Sequence, residues 1–243
     1  MNAKELYEKI VKYCKGNASK EISDKYARFF REGYDAYGLS DNLLNDKVTL
    51  ILRDPEVDMD LIVKTSNYLI KSGKYEETFF AILLLNAFSD EFTPDLLNKI
   101  SHWFQIGIIN WAHCDVLCRD ILSPLLVSNI IDISDLEKWK TAENKFQRRA
   151  VPVSMIPLLK KTDNFPPLFS FIEPLMMDQE REVQQGLGWF LREAWKIDQK
   201  STEKFLMKWK NEAPRLIYQY AIEKMPKEER KRFRRDKSKK KSD

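Results

Sequence analysis

The stretch that decides the fold is residues 108–118, IINWAHCDVLC. Its apolar residues recur at the three- and four-residue intervals of an α-helix, and Asp115 follows Trp111 by four positions. On a helix these two side chains stand about 40° apart, one above the other. The pattern leaves two interpretations open, a packing tryptophan beside a solvated acid or a functional pair. A separate apolar stripe is predicted to face the core, formed by Ile109, Ala112 and Val116.

Helical periodicity dominates the rest of the 243 residues as well. Only seven glycines occur, and alternating runs of Val, Ile and Thr are scarce, so we predict an all-α chain. About a dozen or more helices follow one another through connections of a few residues. Such a succession indicates either a helix bundle or a stacked helical solenoid.

Three helical segments that carry a polar or aromatic insertion recur at similar distances. They are centred on Trp111, Arg148 and Trp189, which are 37 and 41 positions apart. Armadillo and HEAT units repeat at about 40–47 residues, so the first spacing is short and the second fits loosely. In a solenoid, equivalent positions of successive repeats line one concave surface, which would bring these three residues onto one face.

The charge is unevenly distributed along the chain. From Lys224 to the end there are 11 Lys and Arg against 4 Asp and Glu, which leaves 30 basic and 33 acidic residues in 1–223. We therefore predict a helical domain over 1–225 and a basic, flexible tail over 226–243. Such a tail fits an arm that seeks a polyanion, with a solubilising tail as the alternative.

Other features of the sequence exclude several classes of protein. No apolar run approaches the roughly 18–20 residues of a membrane span. The N-terminus, MNAKELYEKIVKYCKG, has the pattern of a charged amphipathic helix and not of a signal peptide. The three cysteines, Cys14, Cys114 and Cys118, form no even disulfide framework, so we expect a reducing, cytoplasmic setting.

A short basic ridge is predicted within residues 141–154, TAENKFQRRAVPVS. Lys145, Arg148 and Arg149 stand at positions i, i+3 and i+4 of one helix face. Arginine suits phosphate because its planar fork donates two hydrogen bonds. The alternative is a network of ion pairs with acids such as Glu143.

Two glycines interrupt the helical run of residues 181–195, REVQQGLGWFLREAW. Gly186 and Gly188 each cost about 1 kcal/mol in a helix relative to alanine, so something must approach the backbone closely there. Either another helix or a ligand satisfies that requirement. Trp189 follows directly, with Arg192 three positions on.

The remaining combinations of residues indicate no further chemistry. His113, Cys114 and Cys118 are expected to pack in the core, because a structural zinc site needs four ligands and the chain has only two histidines. Phosphate-binding glycine loops, nucleophile elbows and H-E-x-x-H motifs are absent from the sequence. We also expect Tyr7, Tyr13, Tyr26 and Phe29 to lie mostly in the core.

With these stretches assembled, the sequence resembles the AlkD family of bacterial DNA alkylation-repair glycosylases. The resemblance rests on the pair Trp111 and Asp115, on WKTAENKFQRRA from Trp139 to Ala150, on GWFLRE from Gly188 to Glu193, and on YQYAIEKM from Tyr218 to Met225. It covers most of 20–225. The N-terminal third departs from the family, since YGLSDNLLNDKVTLIL lacks the Pro and Arg that the family often has there.

The resemblance implies an α–α superhelix of HEAT-like repeats with a concave DNA-binding face. It also implies hydrolysis of the N-glycosidic bond of N3- or N7-alkylated purines in duplex DNA. Asp115, Trp111 and Trp189 would be the catalytic residues. The DNA-binding residues would be Arg148, with Arg149, Lys145 and Arg192 as weaker candidates.

The expected partner is double-stranded DNA that contains alkylated purines. No metal, small-molecule cofactor or membrane is expected, and the protein is predicted to be a monomer in a bacterial cytoplasm, at the nucleoid when bound to DNA. Two alternatives remain open, a non-catalytic HEAT-like protein that recognises distorted or branched DNA and a protein-binding solenoid.

Overall fold

Every regular element of the computed structural model, which describes residues 1–31 and 33–236, is helical. Fourteen α-helices are joined by short connections, several of which form 3₁₀ turns, and the described residues contain no strand. The all-α class is thereby confirmed, and the succession of elements is that of an α–α helical repeat fold. The chain divides into two compact units, Met1–Ile131 and Asp132–Asp243. The domain predicted over 1–225 covers the first unit and most of the second.

Eight helices make up the first unit: α1 (Ala3–Gly16), α2 (Lys20–Ala27), α3 (Asp41–Leu52), α4 (Met59–Lys71), α5 (Tyr75–Asn86), α6 (Leu96–Ile106), α7 (Trp111–Leu117) and α8 (Ser123–Val127). Helices begin where a short polar side chain accepts a hydrogen bond from the first turn, as Asn2, Ser19, Ser40, Asp58 and Asn110 do. Each cap satisfies a backbone N–H that has no partner within its helix.

The core of this unit lies around α4 and α5. Leu69 of α4 and Phe80 of α5 are fully buried, as is Trp103 of α6, whose indole N–H donates to Asn67 Oδ1 at 2.9 Å. Each such side chain contributes about 1.5–3 kcal/mol through removal of its apolar surface from water. The indole of Trp103 can be buried at no large cost because its N–H keeps a hydrogen-bond partner.

A buried carboxylate fixes the connection between α2 and α3. Glu76, at the start of α5, accepts hydrogen bonds from the backbone N–H groups of Tyr37, Gly38 and Leu39 at 2.8, 2.6 and 3.1 Å. Gly38 has φ +82°, and a Cβ at that position would lie 2.0 Å from the carbonyl oxygen of Ser19. Only glycine fits this approach, which lets residues 37–39 lie against both Ser19 and Glu76.

The second unit contains α9 (Lys145–Ser154), α10 (Pro166–Ile172), α11 (Arg181–Ile197), α12 (Gln199–Trp209), α13 (Arg215–Ala221) and α14 (Lys227–Arg230). Helix α11 packs against α9, α12 and α13. A Cβ on Gly188 would lie 2.6 Å from Tyr220 Cβ, and a Cβ on Gly186 would lie 3.0 Å from Arg149 Cγ. Of the two explanations for these glycines, close helix packing is therefore the one that the structure supports.

The predicted tail differs from the structure over its first part. Residues 226–236 fold against the second unit, where Phe233 is fully buried and its carbonyl oxygen accepts a hydrogen bond from Arg215 Nη1 at 2.9 Å. Asp236 pairs with Lys210 at 2.6 Å. Burial of the Phe233 ring stabilises the folded position of this segment, although its charge pattern predicts a flexible one. Residues 237–243, which hold the rest of that prediction, lie outside the described residues.

None of the helices in the described part of the chain combines the length and apolar character needed to cross a membrane.

Candidate functional site

Helix α7 carries the first pair of candidate residues. It begins at Trp111 and ends at Leu117, so Trp111 and Asp115 lie one helical turn apart, as predicted. The side chain of Asn110 caps the helix by accepting a hydrogen bond from the N–H of His113 at 2.9 Å. Trp111 is 41% exposed and Asp115 is half-buried. The pair therefore combines a half-buried carboxylate with an exposed indole one turn away, and the face of an indole attracts cations.

Two neighbouring residues of the first unit hold Trp111. Its indole N–H donates to the carbonyl oxygen of Phe29 at 3.4 Å. Its ring stacks on that of Phe30, with a centroid distance of 5.5 Å and an interplanar angle of 13°. These contacts join α7 to the segment that follows α2.

His113 ties α7 to the start of α5. Asn110 Nδ2 lies 2.9 Å from His113 Nδ1, and His113 Nε2 lies 3.0 Å from the carbonyl oxygen of Tyr75. Because an amide nitrogen only donates, Nδ1 is the acceptor and the ring proton is assigned to Nε2, which donates to Tyr75. Burial lowers the pKa of His113 to about 3, against the opposing effect of the bond to Tyr75. The imidazole is therefore a neutral structural link.

This depressed pKa predicts a pH-dependent stability. The folded state resists protonation of His113 while the unfolded state takes up a proton, so the free energy of unfolding should fall as the pH decreases from about 6.5 towards 3. The contribution of this residue approaches about 1.4 kcal/mol per pH unit. Urea denaturation between about pH 4.5 and pH 7 should show a shallower slope for His113→Gln than for the unsubstituted protein.

The exposed His102 on α6 supplies the control for that measurement. His102→Gln should keep the full pH dependence. A slope for His113→Gln equal to that of the unsubstituted protein would contradict the assignment.

Several predictions of burial need correction. Ile109 precedes α7 and is 55% exposed, and Val116 is half-buried, so Ala112 is the one member of the predicted apolar stripe that is buried. The buried residues of the helix are Ala112, His113, Cys114 and Leu117. Tyr26 and Phe29 are 43% and 53% exposed, where the core was expected. Both lie near the end of α2, a short helix that buries none of its residues. Sequence periodicity alone does not show that a helix lies on the surface. Cys114 and Cys118 are buried, as predicted, and Cys14 is buried as well; none of these three thiols is in a disulfide.

In the second unit, Arg148 occupies the centre of a hydrogen-bond network. Its Nε donates to Asp178 Oδ2 at 2.6 Å and its Nη2 lies 3.4 Å from Asp178 Oδ1. Its Nη1 donates to the carbonyl oxygens of Ala142 and Glu143 at 2.7 and 3.0 Å. Four of the five N–H groups of a guanidinium are thereby engaged. Arg148 joins the start of α9 to the segment before α11.

The other two residues of the basic ridge also face acids or carbonyls near the start of α11. Lys145 Nζ lies 3.3 Å from Glu182 and 3.8 Å from Glu180. Arg149 is 5% exposed, and its Nη1 donates to the carbonyl oxygen of Glu182 at 2.7 Å. Burial favours a packing role for Arg149 over contact with phosphate. Lys145 and Arg148 are in ion pairs, as the alternative predicted, and the acids come from residues 178–182. Glu143, the acid named in that alternative, contacts Arg148 through its carbonyl oxygen.

Helix α11 carries the last two candidates. Trp189 is half-buried. Arg192, one turn further on, pairs through Nε with Glu193 and through Nη1 with Glu223, both at 3.0 Å. Arg192 is therefore held between two acids.

Two residues that matter here carry no signal in the sequence. Phe30 lies far from Trp111 along the chain, and Asp178 lies 30 positions from Arg148. A signal for either would have required knowledge of which helices are neighbours. Among the described residues, no three His, Cys, Asp or Glu side chains are grouped so that they could hold a metal ion.

Comparison with known proteins identifies a family model and a similar solved structure. A family model described as DNA alkylation repair enzyme matches residues 12–225. A solved structure described as a predicted DNA alkylation repair enzyme from Enterococcus faecalis superposes with a TM-score of 0.69 at 16% identity, covering 87% of this chain and 98% of that one. At this identity the structural match establishes the fold alone. No curated protein matches the sequence.

Proposed function

Because the chain belongs to the DNA alkylation repair enzyme family, we propose that it is a DNA glycosylase that hydrolyses the N-glycosidic bond of N3- or N7-alkylated purines in duplex DNA. The observation that carries this proposal is the placement of Asp115 one helical turn from the exposed indole of Trp111 on α7. A helical scaffold that only bound protein would have no need of that pair.

The chemistry follows from the charge of the damaged base. Alkylation at N3 or N7 makes the purine cationic, so it departs as a neutral leaving group and needs little acid catalysis. The remaining barrier is the positive charge that develops on the sugar, as in glycoside hydrolysis generally. The carboxylate of Asp115 stabilises that charge and orients the attacking water.

The proposed role of each tryptophan is also to stabilise positive charge. The negative face of an indole attracts a cation within about 6 Å of the ring. Trp111 has one face against Phe30 and 41% of its side chain exposed, which leaves surface for such a contact. Trp189 is half-buried. In this proposal each of the two tryptophans is a catalytic residue through a contact of this kind.

Contacts with the DNA backbone are assigned to basic residues of the second unit. Arg148 retains one N–H on Nη2 beyond those that bind Asp178 and the carbonyls of Ala142 and Glu143. One phosphate oxygen can accept from it. Lys145 and Arg192 add weaker contacts, because each already pairs with acids. The enzyme acts as a monomer and without a cofactor.

The test is release of free base from methylated duplex DNA. We expect the purified protein to release 7-methylguanine or 3-methyladenine, measured by chromatography of the bases against a reaction without protein. Unmethylated duplex of the same sequence is the control. Absence of release together with salt-sensitive binding to duplex or branched DNA would instead favour a non-catalytic DNA-binding protein.

A further inference from the structure

Three aromatic rings, those of Phe30, Tyr34 and Tyr75, form a column that packs behind Trp111 in the first unit. Phe30 stacks on Trp111 at 5.5 Å and 13°, and Tyr34 stacks on the same phenylalanine at 4.6 Å and 18°. Tyr75 closes the edge of Phe30 in a T-shaped contact at 5.4 Å. Each aromatic pair contributes about 0.5–1.5 kcal/mol beyond its buried area. Phe30 is therefore held from three sides, and one of those sides is Trp111.

The column stands on fixed backbone. Glu76 holds the backbone N–H groups of residues 37–39, just beyond Tyr34. The carbonyl oxygen of Tyr75 accepts the hydrogen bond from His113 of α7. The column and the helix that carries Trp111 thus share the start of α5 as their support. The indole N–H bond to Phe29 is long, at 3.4 Å, so it orients the ring weakly by itself.

We propose that Phe30 is a positioning residue that fixes the orientation of the Trp111 indole and leaves one of its faces to the ligand. The inference rests on the proposed function, in which Trp111 faces the positive charge of the damaged nucleotide. Phe30 acts through Trp111 and has no contact with the reacting atoms. A cation–π contact depends on ring orientation, so loss of the stack lowers the rate of the chemical step more than the affinity for DNA.

The test compares Phe30→Leu with the conservative variant Phe30→Tyr. Tyr68→Leu is the matched control, because it removes one ring from a stacked pair at 5.7 Å and 28° in the same unit that does not include Trp111. The first readout is the indole N–H resonance of Trp111 in a ¹H–¹⁵N spectrum, identified among six tryptophans by its disappearance in Trp111→Phe. The second is the single-turnover rate of base release beside the dissociation constant for methylated duplex.

Phe30→Leu should move the Trp111 resonance and lower the single-turnover rate about 10-fold, with the dissociation constant changed less than about 2-fold. Phe30→Tyr should restore both the resonance and the rate, and Tyr68→Leu should alter neither. If Phe30→Leu does not fold, Phe30→Met is expected to give the same result.

A Trp111 resonance that stays in place in Phe30→Leu would overturn the proposal, as would a rate loss equal to that of Tyr68→Leu. The two hypotheses fail separately. If the unsubstituted protein releases no base, the proposed function fails, while the resonance still decides whether Phe30 orients Trp111.

Discussion

Replacement of Asp115 by asparagine is expected to slow base release by about 10²–10³-fold, the usual effect of removing one electrostatic group that stabilises charge in a transition state. Asparagine keeps the size of the side chain and removes its negative charge, so the developing cation on the sugar loses its counter-charge. Single-turnover release of 7-methylguanine from methylated duplex measures the effect. The dissociation constant for the same duplex should change little, because the interaction strengthens only in the transition state.

Asp90→Asn provides the control, since Asp90 is an exposed acid of the first unit. It should release base at the unsubstituted rate. The free energy of unfolding of Asp115→Asn, measured by urea denaturation, separates a catalytic loss from misfolding. Full activity in Asp115→Asn would remove this residue from the mechanism.

Replacement of Arg148 by alanine is expected to lower the free energy of unfolding by about 3 kcal/mol. The substitution leaves the carboxylate of Asp178, which has a side chain only 9% exposed, without its guanidinium partner. It also removes the donor of the carbonyl oxygens of Ala142 and Glu143. Breaking one side of a buried ion pair costs more than the pair contributes, because the remaining charge stays desolvated. Urea denaturation measures the change.

Arg181→Ala is the matched control, because Arg181 is an exposed arginine at the start of α11. Its stability should change by less than about 0.5 kcal/mol. The double variant Arg148→Ala with Asp178→Ala should be more stable than the sum of the single effects implies, by about 0.5–3 kcal/mol. Additive losses would show that the two residues are not coupled.

The variant Arg148→Ala also tests whether Arg148 contacts DNA. If its remaining N–H binds a phosphate, Arg148→Ala should reduce the slope of log affinity against log salt by about one. An unchanged slope would leave Arg148 with the structural role alone. Conditions in which the variant is fully folded, as judged by the denaturation curves, keep the two effects apart.

Local patterns in the sequence were sufficient for the helical class and for the register of the first candidate pair. Periodicity places Trp111 and Asp115 one turn apart because an α-helix has a fixed number of residues per turn, whatever surrounds it. The same reasoning failed for Ile109, which is exposed, because the orientation of a helix towards the core depends on its neighbours. The tail prediction departed from the structure at Phe233 for a related reason, since charge counts do not register one buried ring.

The chain's covalent order thus determined that it is helical, where its glycines demand a close approach, and which residue types are available for chemistry. Only the tertiary structure determined which groups contact these glycines and side chains. Gly188 packs closely against Tyr220 of α13. Arg148 donates four of its N–H groups to Asp178 and to two carbonyl oxygens. The ring of Trp111 stacks on that of Phe30. Tyr220, Asp178 and Phe30 all lie 30 or more positions away in sequence from the residues they contact. Periodicity is set by the bonds of one helix, whereas partnership is set by the packing of several.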